Sequence, residues 1–211
     1  ASAQVTVRPP CGAGPIYPKE KEQLRATVRQ FLDAAEAPAP EGRLLGIVTP
    51  HSGYGLSGAV AAHAFKHVQR EQYHRVIVLG ASHFVDFGGC SVAAVGAYAT
   101  PLGIVPIDRE ATRRLCRSAL IDSRTLDYRR PKRKQLHERE YAIEAVLPFL
   151  QETLGRFALV PVLIGNLSDI NGRFSPGTVA AVADCIRHII DERTLVVASS
   201  EFTHYGNLFS F

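Results

Sequence analysis

The feature that most narrows the fold is a repeated pairing of short apolar runs with amphipathic stretches. Leu44-Leu45-Gly46-Ile47-Val48, Val76-Ile77-Val78-Leu79 and Leu195-Val196-Val197-Ala198 are continuous apolar runs; Phe157 to Ile164 is a fourth, interrupted by Pro161, and Cys90 to Val95 is a weaker fifth. Their length and β-branching suit strands buried on both faces. Between them, Lys19 to Ala35 places Leu24, Val28, Phe31 and Leu32 on one stripe, and Gly58 to Val68, Arg109 to Leu120, Glu138 to Leu154 and Thr178 to Ile190 repeat the helical spacing. Strands alternating with helices predict an α/β fold with a mostly parallel central sheet and helices on both faces.

The chain is long enough to bury such a sheet. It has 211 residues, 46% hydrophobic and 21% charged, and no linker-like stretch divides it, so residues 1–211 are expected to form a single domain. Cys11, Cys90, Cys116 and Cys185 are widely and irregularly spaced without a C-x-x-C pair. That pattern argues against structural zinc and for the reduced thiols of an intracellular, cytoplasmic setting. No apolar run approaches the roughly 18 residues of a membrane span. Ala1-Ser2-Ala3 lacks the basic and apolar regions of a secretory leader. The net charge of +4 carries no functional message by itself.

The chemistry collects where the predicted strands end. Strand 44–48 runs into Thr49-Pro50-His51-Ser52-Gly53-Tyr54, strand 76–79 into Gly80-Ala81-Ser82-His83-Phe84, and strand 195–198 into Ser199-Ser200-Glu201-Phe202-Thr203-His204-Tyr205-Gly206. Ligands of open α/β sheets bind outside the carboxyl ends of the strands, so these three loops, each with one histidine, are expected to converge. Two neutral imidazoles and a carboxylate make an open site for a divalent transition metal, and His51, His83 and either Glu201 or His204 supply that set. His63, His67, His74 and His188 fall within or beside helical patterns and read as surface or packing residues; His137 is a weaker site candidate.

Other chemistries find less support. Ser82 follows a strand as a nucleophile does, but Phe84 stands where the nucleophile elbow G-x-S-x-G needs its second glycine. Neither phosphate-cradling pattern occurs. The basic run Arg129-Arg130-Pro131-Lys132-Arg133-Lys134 is a candidate contact for nucleic acid or an acidic protein. Without aromatic interleaving or a nucleic-acid-binding motif, a solvated loop is the better reading.

The ordered motifs resemble the Memo family, whose bacterial members are called AmmeMemoRadiSam system protein B. Ala13-Gly14-Pro15-Ile16-Tyr17-Pro18 is similar to the family's opening A-G-x-[FW]-Y, and Thr49-Pro50-His51-Ser52-Gly53-Tyr54 to A-P-H-A-G-Y, with Ser57-Gly58-Ala59 in the small-residue helix that follows. Gly80-Ala81-Ser82-His83 resembles G-P-S-H, Tyr98-Ala99-Thr100-Pro101-Leu102-Gly103 resembles Y-x-T-P-L-G, and Pro161-Val162-Leu163-Ile164-Gly165 resembles P-V-L-V-G. Ser199 to Gly206 is similar to S-S-D-[FL]-[ST]-H-[WY]-G.

The resemblance implies the fold of the class III extradiol (LigB-like) dioxygenases, non-haem iron enzymes that open catechol rings. It implies His51 and His83 as metal ligands and His204 as a pocket residue acting beside Glu140, with Ser82, Tyr141, Glu144 and Glu201 as binding residues. Iron is the metal of the dioxygenase relatives, while animal members are associated with copper and with phosphotyrosine peptides of receptors. The implied ligands are thus iron or copper, a small phenolic molecule, and a peptide or protein partner, held by a metal-capable pocket or by a non-catalytic binding module. The sequence departs from the family in two places. Glu140-Tyr141-Ala142-Ile143-Glu144 stands where E-H-S-[IL]-E is usual, so Tyr141 replaces a pocket histidine. Phe211 falls where the family continues and supplies a third metal-side residue, often cysteine, so the chain is expected to lack the C-terminal part of the family fold.

Overall fold

The computed structural model describes residues 6–68, 72–123, 136–168 and 172–203. In chain order the elements are β1 (Val7–Arg8), α1 (Lys21–Ala34), β2 (Gly46–Pro50), α2 (Tyr54–Phe65), β3 (Arg75–Ala81), β4 (Cys90–Val92), β5 (Ala97–Thr100) and β6 (Gly103–Pro106). There follow α3 (Arg109–Leu115), β7 (Ile121–Asp122), α4 (Leu136–Arg139), a 3-10 turn (Glu144–Val146), α5 (Leu147–Leu154), β8 (Ala158–Ile164), α6 (Pro176–Arg187) and β9 (Thr194–Ser200). A six-stranded sheet runs in the order β2-β9-β3-β8-β4-β7, and a three-stranded sheet in the order β1-β5-β6. Strands β2, β9, β3 and β8 are parallel; β4 pairs antiparallel with β8 and parallel with β7. The α/β expectation therefore holds, with a mixed edge on an otherwise parallel sheet.

Alternating side chains build a core on each face, as period-two geometry requires. Val76 and Val78, Leu159 and Leu163, and Leu195 and Val197 face α1, α2 and α5. Ile77, Val160 and Val162 face α3 and α6. The predicted stripe on α1 is the one that packs, with Leu24 and Val28 fully buried. Gly58 on α2 faces the Phe31 ring of α1, in space that a β-carbon would take. Asp108 caps α3 by accepting from the Ala111 amide at 2.9 Å, and Ser175 caps α6 by accepting from Thr178 at 3.2 Å. His63 and His67 reach back from the α2 end to the carbonyls of Glu36 and Ala37, which gives them the packing roles expected of them. No described helix is long and apolar enough to cross a membrane.

The helix expected over Glu138 to Leu154 is broken, and the break matters for function. α4 stops at Arg139, residues 140–142 lie outside any helix, and α5 starts at Leu147. Pro148 sits in the first turn of α5, where its missing N–H leaves no helical bond unmade. Arg8 fills the break: its guanidinium takes the carbonyls of His137 and Glu140, both at 2.7 Å.

The Phe65 ring stacks on Phe149, centroids 5.2 Å apart and planes 8° from parallel, in the α2–α5 contact. Phe65→Ala is expected to cost about 3–5 kcal/mol, read by thermal unfolding as a loss on the order of 10 °C in Tm. Leu56, apolar and on the same helix but 85% exposed, is the contrast: Leu56→Ala is expected to stay within about 0.5 kcal/mol of the parent.

Candidate metal centre

Sheet order brings the site together. β9 lies between β2 and β3, with Pro50 opposite Ser200 and Gly80 opposite Ser199. The chain leaves β2 at His51, β9 at Glu201 and β3 at Ser82-His83, all at the carboxyl end of one sheet. The ligand atoms of His51, His83 and Glu201 lie within 4.8 Å of one another. Among the described residues, this is the one group of three His, Cys, Asp or Glu side chains placed closely enough to hold an ion.

The outer hydrogen bonds decide what each imidazole offers. Ser199 donates its hydroxyl proton to the Ala142 carbonyl at 2.5 Å, so it is left to accept from His51 Nδ1 at 2.9 Å. His83 Nδ1 donates to Glu140 Oε1 at 2.8 Å, and a carboxylate only accepts. Each ring thus has an acceptor for an Nδ1 proton behind it and turns Nε2 into the site. The two Nε2 atoms are 3.3 Å apart, and Glu201 Oε1 closes on His83 Nε2. Nitrogens at about 2.0–2.1 Å from one ion are separated by about 2.9 Å at a right angle and about 3.4 Å at a tetrahedral angle. The donor set therefore fits a single metal ion, with two imidazoles and one carboxylate as ligands.

One short segment supports both histidines. The Glu140 carboxylate is buried, accepting from His83 N at 2.7 Å and from the Ala142 amide at 2.9 Å besides His83 Nδ1. Ala142 holds Ser199, and Tyr141 between them stacks on His83 at 4.8 Å and meets the His51 ring edge-on at 6.0 Å. Gly80 makes room for this segment, since a β-carbon there would stand 2.9 Å from Ile143 Cγ1 and 3.1 Å from Ala142 Cβ.

The two imidazoles are poised differently. Burial, then the charge of His83, pushes the His51 pKa below its ordinary value. His83 is pushed up, first by its hydrogen bond to Glu140; burial opposes this, and the charges of Glu140 and Glu201 reinforce it. Burial and the same two carboxylates raise the Tyr141 phenol, so it keeps its proton at neutral pH. Tyr141 lines a small cavity of about 60 Å³ with Pro50, His51, Ser52, Ser200 and Glu201, open to solvent on the side of Ser52 and Glu201. A larger cavity of about 540 Å³, bordered by Val92 to Gly96 and α3, shares no lining residue with it and holds no comparable donor set.

The structure thus unites His51, His83, Glu140, Tyr141 and Glu201. Ser82 adjoins them, but its hydroxyl is turned to the Val85 carbonyl at 2.7 Å, the bond of a turn rather than of an activated nucleophile. Glu144 is placed elsewhere: its buried carboxylate meets Arg8, the Cys11 and Gly12 amides (both 2.8 Å) and the Tyr17 hydroxyl. His204 and the basic run 129–134 lie outside the described residues. Reasoning from sequence missed Ser199, although it opens the last motif, and Arg8, a lone arginine ahead of two prolines that belongs to no pattern.

With this geometry in view, comparison with known proteins gives the affiliation. Residues 8–211 match the profile of the Memo family, described as Memo-like protein. The chain is 34% identical over 201 residues to the protein memo-1 homolog of Caenorhabditis elegans, covering 94% of this chain and 53% of that one. It is 29% identical over 214 residues to mouse protein MEMO1, covering 100% and 67%, and 34% identical over 207 residues to a MEMO1 family protein of Methanopyrus kandleri, covering 94% and 69%. The chain belongs to the Memo family. It spans from about half to two thirds of the length of these relatives.

Behind the site, His137 is buried between the Tyr98 hydroxyl at 2.9 Å, Ser91 at 3.4 Å and the guanidinium of Arg8. Burial first, and then Arg8, lowers its pKa from the ordinary 6.5 to about 3. Between these values the unfolded chain binds a proton that the folded one refuses, so stability falls as pH drops from 6.5 toward 3. His137→Gln, which cannot take that proton, is expected to flatten this acid limb by up to one proton in a pH series of chemical denaturation. An unchanged slope would contradict the assignment.

Proposed function

We propose that the protein holds one iron or copper ion between His51, His83 and Glu201 and presents it to a small ligand such as a phenol. The observation that carries this reading is the 3.3 Å separation of two Nε2 atoms whose rings are locked, each from its Nδ1 side, by Ser199 and Glu140. Two histidines and a carboxylate with open positions are the set used by non-haem iron oxygenases, which supports the expected relation to extradiol dioxygenases. A bound ion would supply Lewis acidity and one-electron redox exchange there. The chain's own residues do the rest. Glu140 and Ser199 keep the imidazole lone pairs on target. The Tyr141 hydroxyl, protonated at neutral pH, donates to an oxygen of the ligand. The Memo resemblance adds His204 as the residue that moves protons beside it. Glu201, its side chain 44% exposed, is the ligand most free to move aside.

A second reading rests on a separate observation. Phe84 and Phe202, just past β3 and β9, are 47% and 58% exposed at the same end of the sheet as the cavity. Such a rim suits a peptide or protein partner, in which case the pocket serves binding alone.

Metal uptake separates the two. The 211-residue chain is expected to take up one equivalent of iron or copper in fast exchange, because one of its three ligands is exposed, and to show no catechol ring cleavage. Replacing His51 and His83 together by alanine is expected to abolish that uptake in elemental analysis while far-UV circular dichroism stays native. Equal metal content in the double variant would defeat the metal reading. Peptide binding that survives in the double variant but is lost in Phe84→Ser would favour the second.

A further inference from the structure

Arg8 is among the largest fully buried side chains of the described residues, and its hydrogen bonds to His137, Glu140, Cys11 and Glu144 leave the metal ligands untouched. Its guanidinium donates from Nε to the His137 carbonyl at 2.7 Å, from Nη2 to the Glu140 carbonyl at 2.7 Å and to Cys11 Sγ at 3.0 Å, and from Nη1 to Glu144. Its plane lies over the Tyr98 ring, 4.7 Å from the centroid, and β1 is fixed by pairing Arg8 with Tyr98 on β5. Every contact falls on the segment just after β1, on β5, on α4, or on the stretch between α4 and α5.

The break is what aims Glu140. In a continuous helix the carbonyl of residue 140 would accept from the amide of residue 144. Here Arg8 takes that carbonyl, and the Ala142 amide turns instead to the Glu140 side chain at 2.9 Å. With its carbonyl and its carboxylate both fixed, Glu140 meets His83 at two points, N and Nδ1. We infer that Arg8, anchored by Glu144, is a positioning residue for the metal centre: it acts through Glu140 to set the orientation and tautomer of His83. The inference rests on the metal reading above for its consequence, and on the hydrogen-bond chain for its mechanism.

Arg8→Lys keeps the charge opposite Glu144 but loses the fork that reaches two carbonyls at once. Four proteins are compared with the parent: Arg8→Lys, Glu140→Gln, the two combined, and Val182→Ala. Val182 is a buried residue of the opposite core, on α6, and serves as the control for stability alone. Zinc affinity is read by competition with a chromophoric chelator. Arg8→Lys and Glu140→Gln are each expected to weaken it by about 10- to 100-fold, and the double variant no further than the weaker single. Val182→Ala is expected to lower Tm and leave affinity unchanged. Additive losses in the double variant, or a loss in Val182→Ala equal to that in Arg8→Lys at matched Tm, would overturn the inference.

A second readout needs no metal. Proton–nitrogen correlation spectra of the imidazoles are expected to show His83 Nδ1–H hydrogen-bonded in the parent and in Val182→Ala, and to lose that signature in Arg8→Lys. Its persistence in Arg8→Lys would overturn the inference as well. A parent that binds no zinc would defeat the metal reading, and the spectra would still decide the role of Arg8. Should Arg8→Lys not fold, Glu144→Gln loosens the same guanidinium from its other side and takes its place in every comparison.

Discussion

A guanidinium with no exposed surface must place its donors, and Arg8 does so on the carbonyls that a broken helix leaves open. Burial works against its charge, and Glu144, with Tyr98 and Cys11 adding to it, together more than offset this, so Arg8 is held cationic. Glu144 in turn is satisfied on both oxygens, by Arg8 and the Cys11 amide on one and by the Gly12 amide and Tyr17 on the other. A pair completed this way is stable in place, but removing one partner leaves a buried charge, a loss of about 3–5 kcal/mol. The N-terminal segment and the α4–α5 break are therefore locked to each other, and the break supplies Glu140, Tyr141 and Ala142.

From that lock the site assembles in layers. The parallel strands deliver His51, His83 and Glu201 to one end of the sheet, side by side because β9 inserts between β2 and β3. The broken helix then closes over that end, and Gly80 lets it approach. Glu140 orients His83 directly, Ala142 orients His51 through Ser199, and Tyr141 packs against both rings. Neither layer suffices alone. The strand ends set where the histidines are, and the break sets which nitrogen each offers.

Much of this was readable from residues and some was not. The four principal parallel strands announced themselves as apolar runs, and their polar ends named His51, His83 and either Glu201 or His204. The strands β1, β5, β6 and β7 are two to four residues long, too short to establish a period. The break in Glu138 to Leu154 had one local sign, Pro148. The side chain that fills it, Arg8, is about 130 residues away in sequence and makes no pattern. Glu144 shows the limit of carrying a site over by motif. It keeps its place four residues after Glu140, yet its carboxylate is spent on Arg8 because the helical spacing that would align the two is gone. The motif resemblance implied the two histidines and the structure brings them together; the choice of Glu201 beside them comes from the structure, where it closes on His83.

The central claim is that two imidazoles and one carboxylate, aimed from behind by Glu140 and Ser199, form a single-ion site. X-ray absorption at the copper edge of protein loaded with one equivalent tests it most directly. The account predicts two imidazole nitrogens and oxygen scatterers at about 2.0–2.2 Å, with no sulfur shell. Fewer than two imidazoles, or a sulfur at about 2.3 Å, would contradict it.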